Sequence, residues 1–102
     1  MIYVIATIEL SEGGKEKYLA ELKRVTPAVL KEKGCLGYGP TVDVPTGIPI
    51  QVPQRNDVVT LIEQWENVDA LKLHLTQPHF KEYRERVKDV MKGVSIQVLT
   101  PA

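Results

Sequence analysis

The stretch that decides the fold is Leu61–Tyr83, LIEQWENVDALKLHLTQPHFKEY, which runs from an apolar strand into two successive helical segments. The apolar run stops at a tryptophan, a short amphipathic segment ends at a histidine, and Pro78 then suits the first turn of a new helix. The same stretch carries side chains that can do chemistry: Glu63, Trp65, His74, His79 and Phe80. We expect both the fold and any functional site to depend on this passage.

The residues before this passage predict two strands, a helix and a loop. Residues Ile2–Leu10 alternate with a period of two and carry apolar side chains on both faces, as a strand covered on both sides does. Apolar residues recur at helical spacing over 14–33, with a kink expected at Pro27. Leu36–Val44 predicts an irregular edge strand because it contains glycines and a proline. The proline-rich residues 45–57 predict a loop with little regular structure.

The rest of the chain predicts a strand, two helices and a last strand. These elements are a third strand over Val58–Trp65, a short helix over 67–75, a longer helix over 78–92 and a last strand over 94–98. The buried stripe of the longer helix is expected to be Phe80, Tyr83, Val87, Val90 and Met91. The order βαββ(αα)β predicts a single α+β domain over residues 1–102, with a ferredoxin-like four-stranded antiparallel sheet and helices on one face.

The first strand also predicts a partner. Helices on one face of the sheet would leave the other face uncovered, although the strand over Ile2–Leu10 has apolar residues on both faces. A patch of that size is usually covered by another molecule. We therefore expect a homodimer in which the two uncovered sheet faces pack together.

Charge and cysteine content exclude several kinds of partner. Thirteen basic and thirteen acidic residues leave no net charge and form no long run, so neither nucleic acid nor a membrane surface is a predicted partner. No apolar stretch approaches the ~20 residues of a membrane span, and the N-terminal residues lack a signal-peptide pattern. Cys35 is the only cysteine, so no intrachain disulfide is expected. We expect a cytoplasmic protein.

Glu63, Trp65 and His74 form the candidate catalytic group. Glu63 and Trp65 point to the same face of their strand because side chains alternate. His74 lies on a short helix that must fold back over the sheet. We expect its imidazole to form a hydrogen bond with the Glu63 carboxylate. That hydrogen bond would fix the tautomer and leave the second ring nitrogen to act as a general base. The alternative is a buried histidine that only ties helix to strand.

The other candidate residues each have two interpretations. Trp65 is expected either to form an aromatic wall of a ligand pocket or to fill the core. His79 is expected to satisfy free backbone groups at the start of its helix. Phe80 and Tyr83 are expected to pack in the core, although the hydroxyls of Tyr83 and Tyr38 can also point at a ligand.

Several common site motifs do not occur in the sequence. No Cys/His cluster has zinc-like spacing, no glycine-rich phosphate loop follows a strand, and no Gly-x-Ser-x-Gly elbow is present. Metal, nucleotide and serine-hydrolase chemistry therefore have no support from the sequence.

The chain resembles the antibiotic biosynthesis monooxygenase family over nearly its whole length. The resemblance rests on Gly34-Cys35-Leu36-Gly37-Tyr38, on Glu63-Gln64-Trp65, and on His74 followed by Pro78-His79-Phe80. It implies a dimeric α+β barrel with a pocket in each subunit between the sheet and its helices. It also implies oxidation of a small aromatic phenol or quinol by dioxygen without a metal or flavin cofactor.

Two other activities share the fold. Haem-degrading enzymes resemble this chain at Trp65, but they use an asparagine in the first strand and a histidine after the position of Phe80. Neither is present here, since the stretch after Phe80 reads Lys81-Glu82-Tyr83-Arg84. A non-oxidative isomerase or a stress-response binding protein on the same dimeric barrel remains the alternative. The loop over 45–57 is longer than the family's usual turn and is expected to cover the pocket or brace the dimer.

Overall fold

The computed structural model describes residues 1–102 and confirms the predicted order of strands and helices. The elements are β1 (Ile2–Leu10), α1 (Lys15–Leu30), β2 (Cys35–Thr41), β3 (Val58–Trp65), α2 (Val68–His74), α3 (Pro78–Val87) and β4 (Met91–Leu99). None of these helices has both the length and the apolar character that crossing a membrane would require.

The four strands form one antiparallel sheet in the order β2-β3-β1-β4. The central strands β1 and β3 pair without interruption, from Ile2 opposite Trp65 to Glu9 opposite Val58. The strand β2 lies at one edge, as its glycines and proline predict, and β4 lies at the other edge. This arrangement is the α+β, ferredoxin-like fold that the sequence predicts.

The hydrophobic core lies between one face of the sheet and the helices. The strand β1 buries every second residue, and α1 buries a stripe at helical spacing. These core residues are Ile2, Val4, Ala6, Ile8 and Leu10 from β1 and Tyr18, Leu22, Val25 and Val29 from α1. On the opposite face, Tyr3, Ile5 and Thr7 are only half-buried. The alternation shows that helices cover a single face of the sheet.

The cover of that face is incomplete at β4. Val94, Ile96 and Val98 continue the core-facing rows of β1, because they pair with Ile8, Ala6 and Val4. All three are nevertheless about half exposed. The helices therefore stop short of this edge and leave an apolar strip open.

The structure corrects the predicted ends of several elements. The helix α1 ends at Leu30 rather than near residue 33, and β2 ends at Thr41 rather than at residue 44. The helix α3 ends at Val87 rather than at residue 92, and Met91 begins β4 instead of extending the helical stripe. Met91 pairs with Leu10 at a β-bulge, so sheet hydrogen bonds prevail over the helical spacing of the apolar residues.

The connection from β2 to β3 has almost no regular structure, as predicted. Asp43 and Arg55 join its two ends, and the hydrogen bonds from Arg55 lower the pKa of the Asp43 carboxyl to about 2. Several apolar side chains between them face solvent, and Ile50 is 93% exposed. The loop is therefore closed at its base and leaves its apolar side chains uncovered.

Gly34 sets the distance between the end of α1 and the start of α2. Its φ of +84° lies in the left-handed region that favours glycine. A Cβ atom at this position would lie 2.6 Å from Cβ of Ala70, which is closer than real Cβ contacts allow. The carbonyl oxygen of Gly34 also accepts the backbone N–H of Glu66 at 2.8 Å. Both backbone conformation and space therefore require glycine here.

We expect Gly34→Ala to destabilise the protein more than Gly47→Ala does. Gly47 also has a positive φ, +75°, but a Cβ atom there would meet nothing within 4 Å. Both variants should lose ~1–2 kcal/mol from backbone strain, and Gly34→Ala should lose a further ~1–3 kcal/mol from overlap with Ala70. Urea unfolding measures both. Equal losses of unfolding free energy in the two variants would show that α2 moves away from residue 34 without a loss of stability.

Candidate functional site

A cavity of about 330 Å³ lies between the sheet and the two short helices α2 and α3. Its lining is mostly apolar, and its floor is formed by Val4, Ala6 and Ile8 of β1. The polar groups around it are Tyr38, Glu63, His74, Tyr83, Arg84 and Ser95. The size and the few convergent polar groups are typical of a small-molecule site. The open apolar strip of β4 forms one side of the cavity.

His74 is the buried polar group at the end of α2. Its side chain is 2% exposed, and its ring lies 4.8 Å from that of Trp65, 4.6 Å from that of Phe80 and 5.7 Å from that of Tyr38. Asn67 caps the start of α2 by accepting the backbone N–H of Ala70, as predicted. The expectation that this helix folds back over the sheet is confirmed.

The predicted hydrogen bond between Glu63 and His74 is wrong. Nδ1 of His74 instead lies 3.0 and 2.9 Å from the two carboxylate oxygens of Glu32, which follows α1. Glu63 accepts the indole N–H of Trp65 at 3.0 Å. Strand alternation does place Glu63 and Trp65 on one face, but their proximity satisfies Glu63 locally and leaves the imidazole to the other carboxylate.

The predicted aromatic wall is also wrong, because Trp65 has no exposed surface and does not line the cavity. Its ring packs behind His74, and its N–H holds Glu63. Trp65 therefore contributes by positioning the two polar side chains that do face the cavity.

The ring of His74 has one nitrogen free for a ligand. An ionised carboxylate can only accept, so Nδ1 carries the proton that is shared with Glu32. The only fully buried side-chain nitrogen or oxygen without a hydrogen-bond partner is Oε2 of Glu21. Nε2 of His74 has no hydrogen-bond partner in the chain, and His74 is one of the residues that line the cavity. Burial lowers the pKa of His74, although the hydrogen bond and charge of Glu32 act to raise it.

His79 joins the same carboxylate, contrary to the prediction that it caps α3. Its Nε2 lies 2.6 Å from Oε2 of Glu32, and Gln77 occupies the N-cap position without a side-chain cap. Glu32 is a site residue that the sequence did not predict. The helix-ending Gly34 is the one signal near it, and that signal does not indicate a functional carboxylate. No group of His, Cys, Asp and Glu side chains is arranged to hold a metal ion.

Glu63 faces the cavity as a buried carboxyl group. Desolvation raises its pKa, the hydrogen bond from Trp65 opposes that rise, and the nearby charge of Glu32 adds to it. One of its oxygens is held by the indole N–H, and the other has no partner in the chain. A carboxyl group in such surroundings favours its neutral form, which can donate a hydrogen bond as well as accept one.

Three aromatic residues that the sequence gives as candidates for substrate binding are on the lining of the cavity. Tyr38, Phe80 and Tyr83 all line it. The hydroxyl of Tyr83 lies 2.5 Å from that of Tyr18, so one of the pair donates to the other inside the core. Burial raises the pKa of Tyr83 to about 12, and burial also raises that of Tyr38 well above its usual value. Both tyrosines therefore remain neutral donors at ordinary pH.

A family model described as antibiotic biosynthesis monooxygenase matches residues 1–86. The chain belongs to this family. It is 39% identical to the probable quinol monooxygenase YgiN of Escherichia coli K12 over 103 residues, covering 99% of this chain and 98% of that protein. It is also 28% identical over 80 residues to the uncharacterized protein YjcS of Bacillus subtilis, covering 78% and 68% of the two chains. Membership of the family supports monooxygenase activity in general.

Solved structures show the same fold. The structure of PA3566 from Pseudomonas aeruginosa superposes with a TM-score of 0.80 at 26% identity, covering 99% of this chain and 93% of that one. A conserved protein from Methanosarcina mazei Go1 superposes with a TM-score of 0.82 at 22% identity, covering 99% and 92%. An antibiotic biosynthesis monooxygenase covers 100% and 99% with a TM-score of 0.80 at 19% identity.

We expect Glu63→Gln to gain stability over the wild type as the pH rises. A carboxyl whose pKa is raised by folding makes the wild type lose stability as pH increases from the ordinary value of 4.5 through the raised value. Glutamine still accepts the N–H of Trp65 but never ionises. Urea unfolding at about pH 5 and about pH 8 measures the difference.

Glu66→Gln, at an exposed neighbouring carboxylate, is the matched control and should show no such trend. If the stabilities of the wild type and Glu63→Gln changed in parallel with pH, folding would not raise the pKa of Glu63.

Proposed function

We propose that this protein is a cofactor-independent monooxygenase that oxidises a small aromatic phenol or quinol with dioxygen. The observation that carries the proposal is the placement of His74. Its Nδ1 is held by Glu32, its Nε2 has no partner in the chain, and the residue lines a mostly apolar cavity with aromatic rings packed against the imidazole. The relative YgiN is named a probable quinol monooxygenase, which agrees with this substrate class.

The chemistry begins with a proton transfer. Nε2 of His74 takes the hydroxyl proton of the bound phenol, and the resulting anion is rich in electrons. One electron passes to dioxygen, and the radical pair combines at a ring carbon as a peroxide anion. The peroxide anion takes the proton back from His74 to give a hydroperoxide. Loss of water from the hydroperoxide leaves one oxygen atom on the ring as a quinone carbonyl. The protein has to deprotonate, orient and keep out solvent.

The remaining polar residues orient the substrate in this proposal. Glu63 offers its free carboxyl oxygen to a ring oxygen, which replaces its earlier predicted role as the partner of His74. Tyr38 and Tyr83 contribute neutral hydroxyls, and Phe80 contributes an aromatic face beside the imidazole. The guanidinium of Arg84, 5.9 Å from the centre of the Phe80 ring, lies on the same lining and favours an anionic substrate.

We expect His74→Ala to lower turnover by ~10²- to 10⁴-fold, the range for loss of a general base. Glu32→Gln should cause a smaller loss, because the amide still holds the ring without its charge. Lys81→Gln, at an exposed position of α3, is the control and should retain full activity. Oxygen uptake with a panel of reduced quinols measures all three. An isomerase or a binding protein would consume no oxygen with any of them.

We also propose that the protein is a homodimer through the helix-free face of its sheet. Ile5 and Ile62 pair on this face, where no helix covers them, and Ile62 is 41% exposed. Leu99 lies on the same face, opposite Tyr3. Adjacent apolar side chains of this kind favour a covering sheet.

Light scattering should give about twice the chain mass of 11.4 kDa. Ile62→Lys should shift the protein to the monomer, because a charge would then be buried between two sheets. Ile50→Lys places the same charge on the exposed loop and should leave the dimer intact. The reverse pattern would assign the interface to the loop, and a monomeric wild type would disprove the proposal.

A further inference from the structure

His74 and His79 share one carboxylate oxygen. Nδ1 of His74 lies 2.9 Å from Oε2 of Glu32, and Nε2 of His79 lies 2.6 Å from the same atom. Each imidazole nitrogen donates its proton here, because the carboxylate has none to give. Each ring is therefore left with one other nitrogen at which it can gain or lose a proton.

The two free nitrogens face different surroundings. The side chain of His74 is 2% exposed, is surrounded by aromatic rings and lines the cavity, so a ligand can reach its Nε2 only through the cavity. The side chain of His79 is 28% exposed, so its Nδ1 can exchange protons with water. When a ligand fills the cavity, a proton that reaches His74 would come from that ligand, whereas a proton that leaves His79 would go to solvent.

We propose that the two imidazoles form one titrating unit around Glu32, in which His79 releases a proton to water when His74 gains one from the ligand. Two imidazolium cations on one carboxylate repel each other, whereas a single cation balances its charge. His79 acts through Glu32 and is thus a positioning residue for His74. The directions of the pKa effects agree: burial lowers the pKa of His74, Glu32 raises it, and the charge of His79 lowers it.

The proposal rests on the proposed function for its chemical step, which balances without any further reagent. The O–H bond of the phenol breaks and an N–H bond forms at Nε2 of His74. His79 begins this step as the imidazolium, with protons on both nitrogens; its N–H bond at Nδ1 breaks, and water takes that proton. The two protons donated to Glu32 stay in place, so neither hydrogen bond is broken. The charge of the unit is unchanged, and no additional cation is created beside the apolar cavity.

Other titratable groups around the cavity come from each neighbouring element. They are Tyr18 of α1, Tyr38 of β2, Glu63 of β3, and Tyr83 and Arg84 of α3, whereas β4 contributes only Met91, Val94, Ser95 and Ile96. The tyrosines have raised pKa values and stay neutral. Cys35 of β2 is the other titratable neighbour of Glu32, and burial with the charge of Glu32 raises the pKa of its thiol. Glu63 is the carboxyl outside the unit that lines the cavity, so the experiment is repeated in Glu63→Gln.

The deciding experiment is an NMR pH titration of both imidazoles in the free, EDTA-treated protein. His79→Gln keeps an N–H donor for Glu32 but cannot carry a proton. In the wild type both rings should titrate in two coupled steps. In His79→Gln, His74 should titrate in one step with a midpoint about one pH unit higher. Lys81→Gln, which removes an exposed cation from the same helix, should leave the midpoint unchanged. An unchanged His74 midpoint in His79→Gln overturns the proposal.

The pH profile of turnover separates this role from a structural one. The acid limb of kcat/KM should move to higher pH in His79→Gln by the same amount as the His74 midpoint, because His74 must be neutral to act as a base. A purely structural tie would leave the limb in place. If no quinol is oxidised, the proposed function fails while the NMR titration still decides the coupling. If oxidation occurs without coupling, only the present inference fails.

Discussion

The carboxylate of Glu32 is the constraint on which the site depends. It follows α1, accepts from the last residue of α2 and accepts again from the first turn of α3, so one side chain joins three helices. Its own side chain is 9% exposed. Buried polar atoms need partners, and removing this carboxylate would leave two imidazole nitrogens without theirs. The helical layer is therefore held together by a polar contact rather than by apolar packing alone.

This contact also shapes the cavity. Because His74 and His79 are tied to the end of α1, α2 lies over β3 and α3 packs beside α1, while the apolar side chains of β4 stay about half exposed. The cavity opens where that cover stops, beside Val94 and Ile96. The floor of the cavity is therefore apolar, and the hydrogen bond to Glu32 fixes the position of His74 on its lining. The same arrangement keeps the aromatic rings of Tyr38, Trp65 and Phe80 in contact with His74, and these rings exclude water from the imidazole.

Sequence patterns predicted the fold because strand alternation and helix-start signals depend on residues that are close together in the chain. Strand alternation placed Glu63 on the same face as Trp65, and the signals at Asn67 and Pro78 placed the starts of two helices. The partner of His74 was not predictable in this way, since Glu32 lies 42 residues earlier and meets it only after the helices have packed. Met91 was misassigned for a related reason: its apolar side chain fits a helical stripe and a strand equally well, and pairing with Leu10 decides between them.

The two buried carboxyl groups show why neither can take the other's place. Glu32 accepts from two imidazole donors, and its charge acts to raise the pKa of His74. Glu63 has one indole donor and apolar neighbours, so burial raises its pKa and favours the neutral acid. A neutral acid at Glu63 can donate a hydrogen bond into the cavity as well as accept one, whereas the Glu32 carboxylate can only accept. Separate environments therefore give two identical side chains different tasks: Glu32 holds two imidazole N–H groups, and Glu63 lines the cavity with one carboxyl oxygen unpartnered.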